Sequence, residues 1–594
     1  MRVASRLLLS AALSLVLLPA DAQEKSYAEE YQNRIKSASN VQAHGETPFG
    51  ESIDLYTGAT TFSQTDLVLE GKGPPIVITR SSNDADYSTE NPLKFSGFGD
   101  WQLEVPMIQT LAPGTLKYNA TVGEWKVWGP SSPTTDRCTY FGEMWTPPDG
   151  YYNPGSITAP AYSWWSGYTL KIPGAGSQPI LTRTAAAPTP ATGTYPGVTT
   201  QHYQIGCQAG LGTTNGQPGQ GFVVLGPDGT KYFMTHLSYA SYSTYREADP
   251  MDYRIIARVG RVIARMKASR VEDRFGNYIT YTYTGDKLTA ITGSDGRSVS
   301  IAWWSDAPLI QSITANGRTW QYAYASRSAA GGTLSQVTQP DAASWTFTGI
   351  AMNAANAPVS ITGCLPMQDV AQASHTGITS TYVVKHPSGV TGTFRYSGRL
   401  RAQSYTGSMC VDDLLSGTVS ESANPYFFVT ALVQRELSGP GMANALWNYS
   451  YEVAHPSVLR NCPGTSCQST TYTDVTDPGG DRTRYIHSTR YGAVQGKLLR
   501  SEIFNASSQL QRAEDLTYNY AESDMPYPST FGGSLNMADP AFGSENLVVV
   551  RKKVISQQGR TFTWEVPSGC AGGLTGYCFD AYGRVTKTIK SSAP

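Results

Sequence analysis

A short motif recurs through the middle of this chain and limits what it can fold into. With the glycine or alanine of four turns as anchors, Gly276, Gly296, Gly317 and Ala342 are spaced 20, 21 and 25 residues apart. Three, five and seven positions after the anchors stand large apolar or aromatic side chains. They are Ile279, Tyr281 and Tyr283; Val299, Ile301 and Trp303; Trp320, Tyr322 and Tyr324; then Trp345 and Phe347, with Gly349 breaking the last set. A period of two with one apolar flank is a half-buried strand. Before the anchors lies a second apolar pair: Leu288 and Ile291, Leu334 and Val337, and, one place later, Ile310 and Ile313. Each unit reads strand, tight turn, strand. Asp295-Gly296 and Asn316-Gly317 accept positive φ readily and suit two-residue hairpin turns. The register returns at Gly480, followed by Thr483, Tyr485 and His487, and at Gly559, followed by Phe562, Trp564 and Val566. A two-stranded unit cannot bury its own face, so the units are expected to pair edge to edge in one long curved sheet, aromatic flank inward.

The rest of the composition agrees with an all-β chain of few helices. There are 36 Tyr, 12 Trp and 58 Gly against 15% charged residues, which suits pleated, half-buried strands joined by tight turns and does not suit disorder. A formal net charge of −1 supplies no field toward nucleic acid or an anionic membrane.

The amino terminus reads as an export signal over residues 1–22. Arg2 and Arg6 precede an apolar run from Leu7 to Leu18, and Ala20-Asp21-Ala22 offers a cleavage point. That run of 12 residues is short of the ~20 that span a bilayer, and no later stretch reaches that length. The expectation is an exported protein, periplasmic, secreted or at the cell surface, with no integral membrane segment after signal removal. Eight cysteines in an oxidising compartment suggest disulfides over zinc, because no Cys-x-x-Cys occurs and the seven histidines are scattered. Cys462 with Cys467 and Cys570 with Cys578 are local pairs; Cys364 with Cys410 and Cys138 with Cys207 are longer alternatives.

The chain divides into a polar segment 23–45, in which Tyr27–Ile35 reads as one short helix, and an N-terminal β region 46–260. Strands are expected at Ser52–Tyr56, Thr65–Leu69 and Pro75–Thr79. A Pro/Gly/Thr/Ala-rich stretch over about 145–220, Ala185–Thr199 especially, reads as long loops or an insertion. The repeats occupy 261–350, an irregular β region 351–470, and further repeats 471–594.

These residues resemble the RHS, or YD-repeat, family, whose repeat runs Tyr-Asp, two variable positions, then Gly-Arg or Gly-Asn. The matches are Asp273, Gly276 and Asn277, and Asp580, Gly583 and Arg584; Asp477 and Gly480 resemble the family's longer connecting units, and Asp295, Gly296, Arg297 and Gly317 with the tyrosines Tyr281, Tyr283, Tyr322 and Tyr324 complete the repeat-defining set. The leading tyrosine is replaced before Asp273 and Asp580. The stretches Asp54–Gly58, Gly71–Gly73 and Gly97–Trp101 are similar to the family's N-terminal part. The resemblance implies a spiral sheet forming a hollow shell, in some members around a C-terminal toxin. No Asp-Pro-x-Gly-Leu motif follows here, and nine residues come after Val585. The expectation is therefore an incomplete member, or a shell component without its own effector.

Motifs for chemistry are missing. There is no Gly-x-Ser-x-Gly and no His-Glu-x-x-His. Gly492–Leu498 lacks the spacing and the hydroxyl of a phosphate loop and reads as a repeat connector. Asp84 and Asp86 lack the rest of a calcium loop. Asp412-Asp413 reads as an exposed acidic turn and His487 as a packed histidine. No catalytic residue, metal or cofactor is assigned. The functional expectation is a non-enzymatic secreted or surface scaffold of the RHS type, in competition or adhesion, with an unknown protein partner or a glycan and no nucleic acid. The alternative is a secreted carbohydrate-binding or carbohydrate-active β-protein, which as a hydrolase needs two carboxylates ~5–10 Å apart in one groove. An outer-membrane barrel would need ~10-residue strands with an apolar outer band, which these short segments do not supply.

Overall fold

The computed structural model describes residues 47–82, 97–117, 120–143, 165, 167–184, 190, 192–211, 217–241, 245–248, 255–259, 261–329, 331–349, 357–358, 380–402, 404, 426–452, 468–490, 492–519, 532–533, 535, 547–570 and 574–593. The signal, the 27–35 segment, Asp84, Asp86, Cys364, Cys410, Asp412, Asp413, Cys462 and Cys467 lie outside these residues. Among them the regular structure is strand, apart from one 3-10 turn at Leu574–Gly576.

Eight antiparallel strands close a ring. Met107–Lys117 pairs with Tyr168–Ile172, and the order continues through Gly176–Arg183, Gly197–Thr199, Gln204–Gln208, Gly221–Leu225, Lys231–Ser241 and Arg261–Glu272, which pairs back with Met107–Lys117. A barrel of ~8 strands is just wide enough for side chains to fill it. Trp125 and Phe141, from the segment after the first barrel strand, lie fully buried against the wall residues Tyr168 and Phe222, with ring centroids 4.9–6.1 Å apart. Arg137 on the same segment is buried and donates Nε to the Trp125 carbonyl (2.7 Å) and Nη1 to the Pro218 and Gln220 carbonyls. Cys138 and Cys207 form the disulfide that ties this plug to the wall.

The barrel corrects one expectation. The stretch read as loops over 145–220 contributes four of the wall strands, from Tyr168 to Gln208. They run three to eight residues and include Gly176, Pro179, Gly197 and Gly206, which are poor strand formers. Ring closure gives each of them a partner on both sides, and pairing overrides weak local propensity.

Arg261–Glu272 is a branch point. Its first half pairs with Met107–Lys117, whereas Arg270–Glu272 on the same edge pairs with Tyr278–Thr284. From there an antiparallel ribbon runs by successive hairpins to Ile589–Ala593. Gly532–Gly533 returns from the ribbon's far part to pair with the barrel strand Gly176–Arg183. A small sheet, Glu51–Ile53, Thr60–Leu69, Ile76–Ser82, Trp101–Leu103 and Gly97–Phe98, packs into the ribbon's concave side. The three expected N-terminal strands thus appear with shifted bounds; the first ends at Ile53, because Asp54 folds a turn over Leu55–Gly58.

The aromatic flank faces inward along the repeats. Ile279, Tyr283, Val299, Ile301, Trp320, Tyr322, Trp345 and Phe347 are buried and Tyr281, Trp303 and Tyr324 half-buried against the same core. Leu288 and Ile291 are also both buried, although residues three apart in a plain strand face opposite ways. A bulge at Thr289 restores the parity; Gln311 and Ser335 do the same for the next two pairs. At the bulges the last aromatic of the following unit reaches back. The carbonyls of Ala268, Leu288, Ile310, Leu432 and Leu498, each next to a bulged residue, accept from Tyr283 (2.9 Å), Trp303 (2.7 Å), Tyr324 (2.7 Å), Tyr451 (2.5 Å) and Tyr518 (2.8 Å). Gly349 stands where the Leu334 unit would receive its latch, and there the Leu334 N–H donates to Asp100 of the inner sheet (2.8 Å).

Candidate functional site

The repeat-defining Asp and Gly residues sit at hairpin tips spread along the ribbon and do not converge on one site. Their role is local. The Asp273 N–H donates to the Asn277 carbonyl and the Gly276 N–H back to the Asp273 carbonyl, which encloses a three-residue loop ended by Gly276 at φ 85°. The Asp273 carboxylate caps the loop by accepting the N–H groups of Phe275 (2.8 Å) and Asn277 (2.9 Å). The Asn277 side-chain amide (3.0 Å) adds to these and holds the Asp273 carboxyl below its ordinary range. The same backbone pair recurs at Asp477–Asp481 and Asp580–Arg584, closed by Gly480 and Gly583, and at Asn505–Gln509. Asp-x-x-Gly is thus the chemistry of one turn.

The tip at Asp295-Gly296 shares this backbone closure with Gly293 in place of the aspartate, a correction to the two-residue turn expected there: Gly293 donates to the Arg297 carbonyl, and Ser294, Asp295 and Gly296 form the loop. Asn316-Gly317 does make a two-residue turn, with both residues at positive φ and Ala315 opposite Arg318. The Asp295 tip has a second task. Arg297 donates Nη1 to the Leu69 carbonyl (2.5 Å) and Nη2 to that of Pro74 (3.0 Å), and Asp295 accepts the Lys72 N–H (3.0 Å). These bonds fasten the hairpin tip of the inner sheet.

The tyrosine stripe is core. Burial pushes Tyr281 above its usual range, and burial followed by the neighbouring Asp66 carboxylate pushes Tyr322 well above. Tyr322 donates its hydroxyl to Asp66 (3.0 Å), which pairs with the enclosed Arg80 (3.0 Å). Arg80 lies over Trp101 and Phe347, 4.7 and 5.0 Å from the ring centres. Two further polar anchors hold the inner sheet: Arg435 to Glu51 (2.6 Å) and Arg401 to the Tyr56 carbonyl (2.5 Å). His487 is buried beside Tyr56, and His236 stacks on Tyr283 with ring centres 3.9 Å apart; burial lowers each to a pKa of about 4. Gly492–Leu498 is a turn whose Gly496 packs against the Tyr56 ring. Cys570 and Cys578 form a local disulfide.

The ribbon's concave side continues past the inner sheet. Cross-strand pairing puts Thr483, Ile503 and Arg512 on one face, with Tyr485, Ser501, Glu514, Ile555 and Phe562 beside them. Ile503 is 37% and Phe562 43% exposed, and Glu514 on that face bridges Arg512 (3.0 Å) and Lys553 (2.6 Å).

The opposite, convex face over 278–348 carries mostly hydroxyl and amide groups at its strand positions: Thr280, Thr282, Thr292, Ser298, Ser300, Ser312, Thr314, Thr319, Gln321, Gln336, Thr338, Ser344 and Thr346 face out, with the charged groups Lys287 and Arg327 at strand ends. A groove of about 740 Å³ runs across it, lined by Gln311, Ser312, Thr319, Gln321, Tyr322, Ala323, Tyr324, Gln336 and Thr338, with Trp304 and Arg327 at one side. Arg327 lies 3.7 Å from the Trp304 ring centre and pairs with Asp306 (3.1 Å). No carboxylate lines the groove, so the paired carboxylates of glycoside hydrolysis are not built there. The polar positions between the aromatic ones carry no motif that singles them out in the sequence.

No family model matches the chain, and no curated protein matches it in sequence. Among solved structures it is similar to TcdB2-TccC3-Cdc42 at 9% identity and a TM-score of 0.25, over 89% of this chain and 35% of that one. It is also similar to the N-terminal domain of effector protein SpvB from Salmonella typhimurium strain LT2 at 12% identity and a TM-score of 0.14, over 68% of this chain and 95% of that one. The chain thus spans about a third of the length of the first of these.

Proposed function

We propose that this chain is an exported, non-enzymatic scaffold of the RHS type that holds a partner polypeptide against its concave side, in competition between bacteria or in adhesion. The observation that carries the reading is the change in the concave face along the ribbon. Over 278–451 the protein's own inner sheet fills it, through Phe98 on Tyr322 and Phe62 on Phe394. Beyond that the same face presents Ile503, Phe562 and the Arg512–Glu514–Lys553 ion pairs to solvent among the described residues. A mixed surface of aromatic, aliphatic and Arg groups suits a polypeptide partner. The closed barrel and the strap at Gly532–Gly533 keep that face in a fixed curvature.

The test is site-specific photocrosslinking in the producing cells, with benzoylphenylalanine at Ile503 or Phe562. We expect one discrete adduct from both positions and none from Thr563, which faces the other way. Equal labelling at all three, or no adduct, refutes the reading. Sequencing the amino terminus of the exported protein should find Gln23 first; an unprocessed Met1 would count against export through this signal.

A further inference from the structure

We propose that the concave face beyond the inner sheet receives an acidic, amphipathic segment of the partner polypeptide. The inference rests on the scaffold reading and says what the partner must carry to be held there.

Cross-strand pairing sorts the charges of the last strands into two unlike sets. On the convex side, from Thr470 to Ala593, every charge at a paired strand position is matched. Asp474 bridges Arg482 and Arg484, Arg500 bridges Glu502 and Asp515, and Lys552 meets Glu565, at 2.7–3.5 Å. The concave side carries Arg512, Lys553, Arg560 and Lys590 against one carboxylate, Glu514. Arg512 and Lys553 share Glu514, while Arg560 and Lys590 are exposed with no carboxylate partner among the described residues. In a chain of formal net charge −1 this surplus of cations is local, placed on one face by the register.

The charges are also laid out in rows. Register gives three rungs across these strands: Ile503, Arg512, Gln557 and Arg560; then Ser501, Glu514, Ile555, Phe562 and Ser592; then Leu516, Lys553, Trp564 and Lys590. A strand rises ~3.3 Å per residue, so neighbouring rungs on one face lie ~7 Å apart. The middle rung, with Ile555 and Phe562 at its centre, is a short apolar track with bases ~7 Å to either side. A helix ~10 Å across, laid along that track, sets its apolar stripe on Ile555 and Phe562 and its flanks over the two basic rungs. Asp and Glu on those flanks supply the ion pairs that Arg560 and Lys590 lack. The bound segment is thus apolar on one face and acidic on both sides of it.

Other occupants fit worse. A nucleic acid would set phosphates against Glu514, Ile555 and Phe562, where its backbone needs cations. A bilayer surface is flat and meets a concave wall at its rim only. A basic segment meets like charge.

The test repeats the photocrosslink from position 562 in the producing cells, with and without Arg560→Glu and Lys590→Glu together. Both side chains are exposed and make no hydrogen bond among the described residues, so the fold should persist, checked by equal recovery and an unchanged circular dichroism spectrum. The adduct should fall ~10-fold, as two exposed ion pairs turn to repulsion. Thr563→Glu, on the other face, should leave it unchanged. Mass spectrometry should place the crosslink in a segment whose Asp and Glu outnumber its Lys and Arg. An adduct that withstands the double reversal, or that maps to a neutral or basic segment, overturns this inference and leaves the scaffold reading standing. An equal fall with Thr563→Glu also overturns it. No adduct in the unaltered chain, or one digested by nuclease, overturns both.

Discussion

Replacing Asp66 alone should unseat the inner sheet, and the size of the loss follows from what surrounds its partner. The Arg80 side chain is 0% and that of Asp66 3% exposed, and the carboxylate takes the Arg80 Nε–H at 3.0 and 3.1 Å. The guanidinium lies over Trp101 and Phe347, and Tyr322 donates to the same carboxylate. Asp66→Ala would leave a cation enclosed among aromatic rings, a loss of ~3–5 kcal/mol. Tyr322→Phe removes one hydrogen bond to a charged group, ~1.5–3 kcal/mol. Asp66→Leu combined with Arg80→Met removes both charges together and fills much of their volume. That pair should be less destabilised than the sum of its single variants by at least ~2 kcal/mol. Guanidinium unfolding followed by tryptophan fluorescence reports the change, since Trp101 sits in the contact. Additivity of the two variants within ~0.5 kcal/mol would refute the argument that desolvation, and not packing, sets the cost.

Three further outcomes are expected. His236 and His487 have pKa values lowered by burial from 6.5 to about 4, so the unfolded chain takes up protons first and stability falls as pH drops from about 6.5 toward 4; His487→Phe should flatten that part of the denaturation-versus-pH curve, and an unchanged slope counts against it. Cys138→Ser with Cys207→Ser opens a link across 69 residues and should cost the barrel ~4 kcal/mol, seen as faster proteolysis between the two positions. Ala342 closes its turn at φ 68°, so Ala342→Gly should stabilise by ~1 kcal/mol in chemical denaturation, and destabilisation would show that the turn is not strained.

The ribbon was legible because its signal is local: period-two aromatics and Asp-x-x-Gly turns each report on fewer than ten residues. The bulges went unread, although the spacing of Leu288 to Ile291, both buried on one side, requires one. The barrel was not legible, since its wall strands at Gly197–Thr199 and Gln204–Gln208 are short and carry no clear alternation, and the ring is closed by Met107–Lys117 pairing with the distant Tyr168–Ile172 and Arg261–Glu272. Arg80 and Asp66 could not be read as a pair with Tyr322, which lies 256 residues beyond Asp66. The groove escaped for another reason: Ala323 and Gln336 carry no motif, and their meaning comes from which neighbours the register sets across from them.

The backward-reaching phenol and indole donors give the ribbon a direction. Tyr324 needs the carbonyl that Ile310 frees, Trp303 needs that of Leu288, and Tyr283 needs that of Ala268. Over these units each hairpin therefore arrives with a plug for the strand before it and offers a socket to the one after, until Gly349 interrupts the series. Because plug and socket are alike from hairpin to hairpin, one can be added or dropped without redesigning its neighbours. The length of the coil, and with it the room enclosed, becomes a number that gene duplication can count up or down.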